Sequence, residues 1–219
     1  MAYFGQAVLG LPEVAPFALA QDLAIILAFN RTASPDTFVH LVLLPEPFLG
    51  NPFAPVVVLG LNPGFSPEDA IHHETDHFVA LSRQNLRHAS GQYPFYLLNP
   101  SLTAPGRTWW EKKLSRLIKA KGREAVAQRL LCVEYFPYHS RRFAHAKLSV
   151  PSQDYSVRLV RNALDRDAVI VVLRGEKFWR EAVPELATYK QLHRIKNAQN
   201  VIITPNNCPE GYDSILAGL

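Results

Sequence analysis

Pro55-Val-Val-Val-Leu-Gly-Leu-Asn-Pro-Gly-Phe65 is the stretch that decides the fold. Three valines and a leucine run together without the alternation of a strand that has one wet face. Such a run fits a strand buried on both faces, as in a parallel sheet. Gly60, Asn62, Pro63 and Gly64 then stop the strand and turn the chain. In an open α/β sheet, ligands gather beyond the carboxyl ends of the strands. Asn62 is therefore expected to present its amide at the mouth of a pocket.

Working outward, residues 38–44, 130–135, 168–173 and 200–204 read as further strands, and 45–55 as a proline-rich loop. Helical spacing or helix formers mark 17–29, parts of 67–86, 153–165, a short piece around Phe178 and Trp179, and 210–216. Trp109, Trp110, Leu114, Leu117 and Ile118 read as the core face of one helix, with Lys112, Lys113, Arg116 and Lys119 on its outer face. Strands alternating with helices imply βαβ units with right-handed crossovers. The expectation is one α/β domain over residues 1–219, a three-layer α/β/α sandwich around a parallel sheet of about four strands.

A chain of 219 residues, 48% apolar, has enough material for one sizeable core. Cys132 and Cys208 are its two cysteines, too few for a disulfide framework or a four-thiolate cluster. They fit a reduced, cytoplasmic setting as small buried apolar residues. The apolar N-terminal stretch lacks a basic leader and carries Glu13, Gln21 and Asp22, which argues against a signal peptide, and no run is long enough to span a bilayer. Net charge is +4, unevenly spread. Arg31 is the one basic residue before position 81, whereas 107–147 carries Arg107, Lys112, Lys113, Arg116, Lys119, Lys121, Arg123, Arg129, Arg141, Arg142 and Lys147 against three glutamates. Such a segment suits phosphate contacts as well as it suits a solvated helix surface.

Three strand ends hold polar residues beside prolines: Gly60-Leu-Asn-Pro-Gly64, Val133-Glu-Tyr-Phe-Pro-Tyr138 and Thr204-Pro-Asn-Asn-Cys-Pro209. In this order the chain resembles a divergent member of the uracil-DNA glycosylase superfamily, closest to its single-strand-selective monofunctional and mismatch-specific thymine/uracil branches. The resemblance spans about residues 55–210. It implies that Asn62 positions the attacking water and that Phe95, in Pro94-Phe95, stacks on a flipped base. It further implies that Glu134, beside Tyr135, reads the base edge. Thr204, Pro205 and Asn206 fall where the family contacts the base carbonyl and the duplex, and Gly60, Leu61, Pro63, Gly64 and Phe65 complete the base pocket. The implied activity is hydrolysis of the N-glycosidic bond of uracil or another modified base in DNA repair, on single- or double-stranded DNA, by a monomer without metal or organic cofactor.

The chemistry suits these positions. Bond cleavage makes an oxocarbenium-like sugar and an anionic base, so the site must orient water on one side and stabilise charge on the other. An amide orients water without acting as a strong base. Two residues depart from the family pattern: Glu134 replaces an asparagine, and Thr204 replaces a histidine. An ionised Glu134 only accepts hydrogen bonds and would suit an amino-bearing base edge; a protonated Glu134 also donates and would suit uracil. Thr204 is a weaker anion stabiliser than imidazole, which leaves open a nucleic-acid- or nucleotide-binding module that has lost efficient catalysis. Hydrolysis of a free nucleoside is a third reading.

Other residues have two readings each. Glu134 has a structural alternative as an ion-pair partner of Arg141 or Arg142. His139, Arg141 and Arg142 lie just past a strand end, where they suit phosphate contacts. His73 and His77 stand four apart near His72, Glu74 and Asp76, but no third ligand in a known motif follows, so a surface cluster is expected rather than a metal site.

Overall fold

A computed structural model describes residues 11–89, 91–144 and 148–219. Lys147 of the basic segment and residues 1–10 of the N-terminal stretch lie outside them. Among the described residues, five strands form one sheet: β1 (Phe48–Gly50), β2 (Val56–Gly60), β3 (Leu130–Glu134), β4 (Val169–Val172) and β5 (Leu192–Arg194), in the order β1-β3-β2-β4-β5. All neighbours are parallel except β1, which runs antiparallel to β3 along one edge. The apolar runs at 56–60, 130–134 and 169–172 occupy the three central positions, buried throughout, as strands covered on both faces require.

The pleat splits these strands between two cores. Val56, Val58, Leu130, Cys132, Val169 and Val171 face one way. There they meet Phe78, Trp110, Leu117, Val126 and Ile215 from α3 (Asp76–Leu86), α4 (Pro105–Lys113), α5 (Ser115–Lys121), α6 (Arg123–Arg129) and α9 (Tyr212–Gly218). Val57, Leu59, Leu131, Val133, Ile170 and Val172 face the other way, against α7 (Gln153–Asp165) and Trp179 of α8 (Glu176–Ala182). The result is a helix–sheet–helix arrangement. A satellite core packs Ile26 of α1 (Ala20–Asn30) against Val39, Leu41, Phe136 and Tyr138. The remaining helix, α2 (Pro67–His72), is short and opens with a Ser66–Asp69 capping box. No helix among the described residues is long and apolar enough to cross a membrane.

Several elements differ from the sequence expectation. The sheet has five strands rather than about four, and it is mixed rather than wholly parallel. Residues 38–44 make a single bridge, His40 to His139, instead of a strand; Val39 and Leu41 pack into the satellite core while Phe38 and Val42 stay exposed. The edge strand β1 lies inside the expected proline-rich loop, since prolines that flank an edge strand cost no ladder bond. Residues 200–204 form no strand: Val201 and Ile203 are buried, but the Ile203 amide donates to the Lys113 carbonyl at 3.1 Å, outside the sheet. The expected single helix around Trp110 breaks at Leu114 into α4 and α5. Lys113 is buried there rather than solvated, donating to Asn200 Oδ1 at 3.0 Å.

Trp179 ties a covering helix to the end of the central strand. It is fully buried, and its indole N–H donates to the Gly60 carbonyl at 2.8 Å. Trp179→Phe keeps most of the apolar volume but leaves that buried carbonyl without the donor. The expected loss is about 1–3 kcal/mol of stability, measured by urea unfolding with an unchanged slope.

Candidate functional site

The parallel register of β2 and β3 brings their last residues side by side, Gly60 against Glu134. Beyond this pair opens a cleft of about 570 Å³, a size that suits one small-molecule group or one base. Asn62 and Glu134 both line it, with Gly60, Leu61, Pro63, Gly64 and Phe65 of the turn after β2. The third strand end in the cleft is that of β4, through Leu173 and Arg174.

Glu134 is the buried acid of this site. Its exposure is 8%. Oε1 meets the Cys132 thiol at 3.6 Å, and Oε2 is buried with no partner among the described residues. Burial, reinforced by the charge of nearby Glu46, pushes its carboxyl up to about 8, so at neutral pH it is mainly the neutral acid, a donor and an acceptor side by side. The ion-pair alternative is not what forms: Arg141 and Arg142 sit instead 3.6 and 3.9 Å from the Asp36 carboxylate. Gly60 makes room for the acid, because a Cβ there would lie 2.7 Å from Glu134 Cδ and closer still to Oε2.

Asn62 is oriented by its surroundings. Its Nδ2 donates to the Pro63 carbonyl at 2.8 Å and to Ser140 Oγ at 3.0 Å, with the Ser140 carbonyl at 3.3 Å. Two carbonyls fix which end of the amide is nitrogen. Oδ1 is left as the atom that can accept from a water or ligand.

The remaining expected residues divide. Phe65 lines the cleft, backed by His40 with ring centroids 3.4 Å apart. Phe95 does not line it; the ring is fully buried in the core, edge-on to Trp110 at 5.0 Å. Tyr135 is half-buried behind the site against Phe178 and Trp179. Thr204, Pro205 and Asn206 are outside the cleft lining, and the Thr204 hydroxyl accepts the Asn207 amide at 3.1 Å in a local turn. Arg141 and Arg142 line the exposed rim. His139 is buried, with Nδ1 2.7 Å from the Gly64 carbonyl and Nε2 3.0 Å from that of Leu44. It is not free for a phosphate.

Sequence reasoning missed Trp109, Arg174, Ser140, Glu46 and Asp69, which also line the cleft. Trp109 read as core beside Trp110, yet it is 38% exposed with the Lys113 ammonium 5.3 Å from its ring centre. Trp110 also reaches the cleft lining but is 5% exposed, its ring held in the core against Phe95. Arg174 stands two residues past the end of β4, so a strand-end rule applied to that strand would have found it.

Comparison with protein-family models, curated proteins and solved structures finds no match to this chain.

Glu134 makes stability depend on pH in a definite sense. Its folded carboxyl titrates near 8 against an ordinary value of 4.5. Between these values the folded chain holds a proton that the unfolded chain has lost, so stability falls as pH rises through the window and levels off above it. Glu134→Gln keeps the shape and removes the proton. Its stability relative to native should grow by roughly 1.4 kcal/mol per pH unit across the window, as measured by urea titrations from about pH 5 to pH 9. Gly60→Ala should displace the Glu134 carboxyl, erasing that pH dependence and destabilising the fold by about 1–3 kcal/mol.

Proposed function

We propose that the cleft receives a nucleobase swung out of a DNA strand, and that the chain is a base-excision glycosylase of the uracil-DNA glycosylase type. The observation that carries this reading is the convergence of Asn62 and Glu134, from two separate strand ends, on one cleft. Asn62, with its N–H groups held by Pro63 and Ser140, offers Oδ1 to hold water beside the sugar. That water adds to the anomeric carbon as the N-glycosidic bond breaks, and the bond's electron pair leaves on the base nitrogen.

Neutral Glu134 offers a donor beside an acceptor, complementary to the imide edge of uracil or thymine, which pairs an N–H with a carbonyl. Phe65 and Trp109 supply aromatic surface that offsets the unstacking of the base. Arg141 and Arg142 on the rim suit the flanking phosphates.

One observation favours a second reading. Thr204 and Asn206 lie outside the cleft lining, and both nitrogens of His139 face backbone carbonyls. The site thus holds few groups for the departing base's charge, as in a binding module that retains the pocket with little catalysis.

Base release from single- and double-stranded oligonucleotides carrying uracil, thymine mismatches, hypoxanthine, xanthine or undamaged bases tests both. The expected result is release of uracil, reduced ~100-fold or more in Asn62→Ala. Release should decline about tenfold per pH unit above pH 8 in the native chain but not in Glu134→Gln. Salt-sensitive binding with no release of any base would establish the binding module instead.

A further inference from the structure

Behind one wall of the cleft, the fold gathers three side chains that are far apart in sequence: Glu46 before β1, His73 at the end of α2, and His139 past β3. All are buried, and one ligand atom from each lies within 4.8 Å of the other two. Glu46 also lines the cleft, with Ser66 and Asp69 beside it, which gives an ion a way in. Its Oε1 accepts a hydrogen bond from the Tyr96 hydroxyl.

The hydrogen bonding around the histidines is incomplete in a way that points to a cation. A neutral imidazole has one N–H, yet both nitrogens of His139 face carbonyl oxygens, Gly64 at 2.7 Å and Leu44 at 3.0 Å. One lone pair therefore opposes a carbonyl unless something positive lies there. A second proton on His139 would resolve that conflict alone. It would not help His73, whose Nδ1 is buried without a partner among the described residues, with the ring 93% buried and edge-on to His139 at 5.1 Å. A metal ion gives His73 that partner, and His139 joins it by turning one nitrogen away from its carbonyl.

We propose that Glu46, His73 and His139 form a site for one divalent d-block cation of the zinc type. Two imidazoles and a carboxylate are a donor set that zinc accepts, with a position left open toward the cleft. Whichever nitrogen of His139 binds the ion, the other is placed to donate to a backbone carbonyl, the usual support for a ligating imidazole. The site is independent of the base-excision reading.

The test is titration of the chelator-treated full chain with Co²⁺, followed by displacement with Zn²⁺ and X-ray absorption of the zinc-loaded chain. One equivalent should bind with the visible bands of low-coordinate cobalt, and the zinc shell should contain two imidazoles and a carboxylate. Glu46→Gln and His73→Asn should each weaken binding by about a hundredfold or more, while His77→Asn, on the exposed side of the histidine cluster, should leave it unchanged. Failure to bind an equivalent, a shell of water oxygens only, or binding lost in His77→Asn and kept in His73→Asn would overturn the site. The absorption spectrum of the native chain decides the matter even if a variant does not fold.

Discussion

The cleft rests on a glycine and a glutamate meeting in register at the ends of two parallel strands. Gly60 has no Cβ, so the Glu134 carboxyl can fold over it; any other residue at position 60 would occupy that space. The same glycine's carbonyl receives the Trp179 indole, so the helix covering the opposite face is tied to the point where the acid sits. Sheet register, acid placement and helix packing are therefore one constraint. A shift of one residue between β2 and β3 would turn Glu134 away from the cleft and set a valine there.

That arrangement lines the cleft with three carboxyl groups, those of Glu46, Asp69 and Glu134. Burial raises both Glu134 and Glu46, and the charge of Glu46 pushes Glu134 up further. With Glu134 neutral at its floor, the cleft recognises polarity and shape there, while Arg141 and Arg142 stand on the rim. Neutral heterocycles fit the floor, and anions fit the edge. This separation suits a ligand that is a flat polar ring attached to a charged chain.

The central strands were legible because burial on both faces leaves a continuous apolar run, as in Val56 to Leu59 or Val169 to Val172. Edge elements carry no such mark. β5, Leu192-His-Arg194, is polar and partly exposed, and β1 hides among prolines. The run at 200–204 was as apolar as a strand, but the Ile203 amide donates to helix α4 and the Asn200 and Ile202 carbonyls accept from the Asn207 side chain instead, a tertiary choice that local pattern does not encode. In the site, the strand-end residues Asn62 and Glu134 were readable from position and neighbours. Phe95 was not, because an aromatic residue after a loop packs equally well in a core or against a ligand. The Glu46–His73–His139 cluster was invisible for a different reason. Its members come from three segments with no shared spacing, so only the folded chain reveals them.

The Asp36 carboxylate that spans Arg141 and Arg142 has a consequence for how any phosphate would be held. In the free protein the two guanidinium groups already share an anion, at distances of 3.6 and 3.9 Å. Any phosphate that engaged them would have to displace that carboxylate. The carboxylate left behind would offset part of the charge neutralised, making the salt sensitivity of such binding shallower than two unpaired arginines imply. Asp36 is thus a built-in counterion for the pair on the free protein.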